Sequence, residues 1–103
     1  MKAFKGFDKD MKCRGYQYEI GKTFETDKAK LCESGFHACE YPLAVFGYYD
    51  PAGSRFAEVE IEGDTGEREE DTKLCGTKIT VRAEINLPGI INAAVEFIKE
   101  LVS

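Results

Sequence analysis

No apolar run in this 103-residue chain approaches the roughly 18 residues that a membrane-spanning helix needs. Membrane insertion by helices is therefore not expected. The Met1 end, MKAFKGFDKD, is charged and lacks the apolar stretch of a signal peptide, so a cytoplasmic protein is expected. Glycine (10 residues) and proline (3) are too few for a collagen-like or linker segment. Basic residues are outnumbered, and the net charge of −5 argues against nonspecific binding to nucleic acid or an anionic membrane. What is present is the composition of a folded globule, 43% hydrophobic and 32% charged, which excludes intrinsic disorder. At this length one domain over residues 1–103 is expected.

The acidity is local. Between Glu58 and Asp71 lie eight acids and one base, Arg68, so this stretch carries −7 and the remainder +2. Four cysteines, Cys13, Cys32, Cys39 and Cys75, would suggest two bridges in a secreted chain. In the cytosol thiols usually stay reduced, and reduced thiols are expected over a metal site or disulfides.

Periodicity then sets the elements. Ala57–Glu62 and Lys78–Ile85 alternate apolar and polar residues and read as strands, the second rich in β-branched side chains. Glu58, Glu60 and Glu62 would face solvent opposite Lys78 and Arg82 if the two strands pair. Gly15–Ile20 alternates too, with Tyr16, Tyr18 and Ile20 on one face, and a short extended piece follows around Phe24. Ala3–Phe7 reads as an edge strand, and in an extended Leu31–Cys39 segment Phe36 and Ala38 would oppose His37. Pro42 suits the first turn of a short helix that Asp50-Pro51-Ala52-Gly53 ends, and Gly63–Gly76 reads as a long mobile connection. Leu87, Ile91, Ala94, Ile98 and Leu101, with Val95 and Val102 beside them, form the apolar side of a terminal helix. Asn86 and Pro88 stand at its start. The expectation is an α+β fold: a twisted, mostly antiparallel sheet, a short central helix, and a C-terminal amphipathic helix packed on one face.

No catalytic set emerges from the residue pattern. His37, the single histidine, lies between Cys32 and Cys39, and with Cys13 or Cys75 these could make a tetrahedral site. The Cys-x2–4-Cys knuckle that usually announces zinc is missing, so no metal is expected. Cys39 precedes the Pro42 helix closely enough to be activated by its dipole, but no orienting partner is recognisable, and no cofactor is called for. Ten of the twelve aromatic residues precede Asp50, more rings than one half of a small core needs. Tyr48 and Tyr49 are the expected surface pair and candidate interface anchors.

Residues 2–7, Cys13–Lys22 and Leu31–Cys39, the last ending in Gly35-Phe36-His37-Ala38-Cys39, resemble an uncharacterised family of small domains encoded by bacteriophages and prophages. Residues 55–60 and 78–80 fit the same family. That resemblance implies work inside a bacterial cell and supplies no activity. A weaker resemblance, to the ADP-ribosyltransferase fold, follows the order Phe4-Lys5-Gly6, Gly35–Ala38, the Pro42 helix and Phe56–Glu62, and no residue matches that family's catalytic glutamate.

Two functions follow as expectations. The first is a non-enzymatic, acidic, phage-type protein that binds a bacterial host protein, for instance in a defence system. Glu67, Glu69, Glu70 and Asp71 would cover a basic nucleic-acid-binding groove of that partner, anchored by Tyr48 and Tyr49. The second is a nucleotide- or NAD-binding domain, or one related to ADP-ribosyl transfer, with Lys5, Arg14 and His37 near the ligand.

Overall fold

A computed structural model describes residues 1–27, 35–63 and 72–103. The described residues form eight strands: β1 (Lys2–Phe7), β2 (Lys12–Cys13), β3 (Tyr16–Gln17), β4 (Thr23–Glu25), β5 (Phe36–Cys39), β6 (Arg55–Glu62), β7 (Lys73–Gly76) and β8 (Lys78–Ile85). A 3-10 helix (Pro42–Gly47) lies between β5 and β6, and α1 (Leu87–Val102) closes the chain. Six strands form an antiparallel sheet in the order β4-β8-β6-β1-β5-β7, and β2 and β3 form a separate hairpin. The α+β architecture expected from the sequence is what the chain adopts.

β6 and β8 pair as their alternation implies, from Glu62 opposite Lys78 to Phe56 opposite Ile85. Lys78 sits 3.7 Å from Glu62, while Glu58 pairs instead with Lys2 of β1 at 3.6 Å. An irregularity opposite Glu58 and Val59 shifts the register of β8 and brings Ile85 beside Phe56 under the helices.

The sheet is covered on both faces. On one lie Ala3, Phe7, Ala57, Val59, Ile61, Leu74, Ile79 and Val81, beneath Met11 and Tyr18 of the hairpin segment. On the other Phe4, Cys39 and Phe56 meet Val45 of the 3-10 helix and Ile90 of α1. Two-sided burial explains why β1 is central rather than an edge strand: five of its six residues are buried, so no period of two is visible. Lys73–Gly76 belongs to the sheet rather than to a connection. It pairs with β5 over four positions and buries Leu74 and Cys75. The Tyr16–Ile20 alternation yields a strand of only two residues, because the hairpin ends at Gln17.

α1 begins where expected. The Asn86 side chain accepts the Gly89 N–H at 2.9 Å, and Pro88 occupies the first turn, where its missing N–H costs nothing. Its packing face differs from the expected one. Ile90 and Ala94 are buried, and Phe97 meets the Tyr41 ring at 5.4 Å. Leu87, Ile91, Val95, Ile98, Leu101 and Val102 stay exposed. The apolar arc is wider than the contact with the 3-10 helix, which is where α1 rests. No described helix is long and apolar enough to cross a membrane.

Candidate functional site

Six backbone pairs tie β1 to β6, but only Phe4 and Cys39 pair β1 with β5. Past that pair the two strands part. The Lys5 side chain enters the gap, and its Nζ donates a hydrogen bond to the His37 carbonyl. A cavity of about 620 Å³ opens at this split. Among the described residues its wall comprises Phe4–Gly6 of β1, Gly35–Cys39 at β5, Cys13, Arg14, Tyr16 and Tyr18 of the hairpin region, Glu25 and Thr26, Val45, Tyr48, Tyr49 and Lys73.

Lys5 is 6% exposed, on the same face of β1 as Ala3 and Phe7. Its Nζ lies 5.4 Å from the centre of the Tyr18 ring. Burial pulls the ammonium below its ordinary pKa, and the neighbouring thiols Cys13 and Cys39 act in the opposite direction. Tyr18 and Tyr49 are raised above the ordinary tyrosine value, first by burial and then by Cys13.

The hairpin is built to carry Cys13 and Arg14 to this place. Cys13 pairs with Tyr16, leaving a two-residue loop in which Arg14 (φ 54°) and Gly15 (φ 81°) are both left-handed. That is the turn whose twist matches a hairpin, and glycine suits its second position. Arginine at the first position is strained by about 1 kcal/mol. Behind the turn Tyr18 and Phe24, Tyr16 and Phe36, and Tyr18 and Phe36 meet edge to face at 5.3–6.3 Å, and Tyr16 lies tilted on Tyr18 at 4.9 Å, which seats the hairpin on the sheet.

Tyr49 forms the opposite wall. Its ring lies flat against Gly6, where a Cβ would come within 2.7 Å of Cδ2. Cys13, Arg14 and Tyr49 share the wall of the cavity. Tyr48, 45% exposed, carries the Lys73 ammonium 4.9 Å from its ring centre.

Of the residues singled out in the sequence, Lys5, Arg14, His37, Tyr48 and Tyr49 line this one cavity. Tyr49 is half-buried there rather than part of an exposed pair. Glu67, Glu69, Glu70 and Asp71 lie outside the described residues, as does Cys32. Cys13, Cys39 and Cys75 are thiols, and among the described residues no three His, Cys, Asp or Glu side chains converge as a metal would require. Cys39 is buried and packs against Phe4 and Val45. Sequence reasoning missed Gly6, Tyr16, Tyr18, Glu25 and Lys73 as site residues, and it weighed Cys13 only as a metal ligand.

A family model described as a domain of unknown function (DUF7666) matches residues 1–93, a span that ends inside α1. No curated protein and no solved structure matches the chain.

Proposed function

We propose that this chain, which belongs to the DUF7666 family of domains of unknown function, binds a phosphorylated ligand with a planar ring, a nucleotide, in the split between β1 and β5. One observation carries the reading: a protein of net charge −5 lines its cavity with Lys5, Arg14 and Lys73 against a single described acid, Glu25. Such a reversal of sign within a concave wall concentrates anions. The rings of Phe4, Tyr16, Tyr18, Phe36, Tyr48 and Tyr49 supply apolar surface for a base, and about 620 Å³ falls within the range of small-molecule sites. The resemblance to ADP-ribosyltransferases puts NAD among the candidates, as a ligand and without a transfer step.

Thermal shift against NAD, mononucleotides and dinucleotides tests the reading. At 100 times its dissociation constant a ligand stabilises the fold by about 2.7 kcal/mol, or roughly 11–22 °C for a domain of this size. Arg14→Gly separates fold from binding. It relieves the left-handed strain and stabilises the free protein by about 1 kcal/mol, while weakening the nucleotide about tenfold through the lost cation. No shift with any nucleotide at millimolar concentration ends the proposal.

A second reading has the exposed apolar stripe of α1 in its favour. There the chain is a phage- or prophage-type module in the bacterial cytoplasm that modulates a host protein, with Glu67, Glu69, Glu70 and Asp71 set against a basic groove of the partner. Charge reversal at those four acids without loss of host-protein binding refutes it.

A further inference from the structure

One flank of α1 is apolar and open to solvent. Leu87, Ile91, Val95, Ile98 and Val102 are all exposed, and at 3.6 residues per turn they share an arc of about 80° along the whole helix. The helix rests on the 3-10 segment through the adjoining arc, where Ile90 and Ala94 are buried, so the stripe faces away from that contact. Asn92, Glu96 and Glu100 occupy the far side of the helix. Leu87, Ile91, Ile98 and Val102 are spaced four, seven and four residues apart, an order that reads the same in both directions. A second copy laid antiparallel therefore meets the stripe in register. Leu87 faces Val102, Ile91 faces Ile98, and the two-fold axis passes between Ala94 and Val95.

We infer that two copies of this chain associate through α1, antiparallel, each burying its Leu87–Val102 stripe against that of the other. Charge selects the same direction. Residues 87–95 carry no charge, whereas the C-terminal half of α1 holds two acids, Glu96 and Glu100, against one base, Lys99. Antiparallel copies set that acidic half beside the positive pole of the other helix, while parallel copies would set like poles and the two acidic halves together. Lys99 is the one charge that borders the stripe, and it comes level with Asn92 of the other copy, so no like charges meet. Five partly exposed aliphatic side chains from each copy bury on the order of 1,000 Å² in total, about the least that a specific interface shows. The association is accordingly weak, with a dissociation constant on the order of 100 μM, and the dilute chain is a monomer. Among the described residues none of α1 lines the cavity, so pairing is independent of nucleotide binding.

Sedimentation equilibrium of the full chain, from about 5 μM to about 1 mM, tests the pairing by mass action. The weight-average mass should climb from that of one chain toward that of two. Ile91→Glu and Ile98→Lys each place a charge against an isoleucine of the other copy, and each should weaken association about tenfold or more. Both positions are about half exposed, so the fold should survive, which circular dichroism checks. Mixed in equal amounts, the two variants should associate again. Position 91 of one chain then faces position 98 of the other, so the introduced acid meets the introduced base and the remaining Ile98 meets the remaining Ile91. A wild-type chain that stays a monomer at about 1 mM overturns the inference whether or not the variants fold, and leaves the stripe to a different protein. A dimer that survives both substitutions places the interface elsewhere and overturns it as well. Loss of association in each variant without recovery in the mixture overturns the antiparallel pairing.

Discussion

Replacing Gly6 by alanine sets two effects against each other. In the interior of a strand glycine is worse than alanine by roughly 0.5–1 kcal/mol, so propensity alone makes the substitution stabilising. Space opposes it. The added Cβ would stand 2.7 Å from Tyr49 Cδ2, 2.9 Å from Cγ and 3.0 Å from Cβ. Carbon atoms rest about 3.5–4.0 Å apart, so Tyr49 has to retreat by about 1 Å. The atoms met are the root of the side chain, not its flexible end, and a new rotamer cannot relieve the clash. Overpacking of this kind costs about 1–3 kcal/mol, which exceeds the gain in propensity and leaves a net loss of about 1–2 kcal/mol. For a domain of this size that lowers the thermal midpoint by roughly 4–16 °C. Melting the wild type, Gly6→Ala, Tyr49→Ala and the double variant closes a cycle. The two changes should couple by about 1–3 kcal/mol, because without the ring the methyl group meets only the Cβ that alanine keeps, at 3.0 Å, and loses the two closer contacts. An unchanged or higher midpoint for Gly6→Ala refutes the reasoning, as does an equal cost in the Tyr49→Ala background.

Stability should also carry the signature of the buried Lys5. Its folded pKa lies below the ordinary 10.5, so between the two values unfolding takes up a proton and stability rises with pH. The groups that face it, Cys13, Cys39 and Lys73, modulate that window. Tyr18 and Tyr49 act oppositely. Both are raised above 10.0 by burial, so the folded chain keeps protons that the unfolded chain loses, and stability falls as pH climbs past about 10. Urea unfolding from about pH 6 to about pH 11 should show a rise and then a fall, and Lys5→Met should abolish the rise alone. A rise that survives in the variant removes Lys5 as its source. On α1, Ile98→Lys should change stability by no more than about 0.5 kcal/mol, since Ile98 is 48% exposed, whereas Ala94→Asp, at 3% exposure, should cost about 3 kcal/mol or more. Chemical denaturation decides, and equal costs would mean that the helix lies on its other side.

Some elements are legible in the order of residues alone. β6 and β8 alternate because along Glu58–Glu62 and Lys78–Val81 one face meets the core and the other is open, and α1 announces its start through Asn86 and Pro88. β1 and β7 give no such signal. Burial on both faces erases the alternation in the first, and the second is four residues recruited by pairing with β5. The apolar arc of α1 is plain from its spacing, but hydrophobic period marks only which residues avoid water. Which half of that arc meets the 3-10 helix depends on how the sheet places Phe4, Phe56 and Val45. The cavity lies furthest beyond local reading. Lys5, Cys13, Cys39 and Tyr49 share no motif, and they meet because β1 and β5 hold a single backbone pair before parting. Amino-acid order determined the alternating strands, the helix and the sign of each charge. Only the long-range pairing of strands decided that three cations and a thiol of an acidic chain would face the same enclosed space.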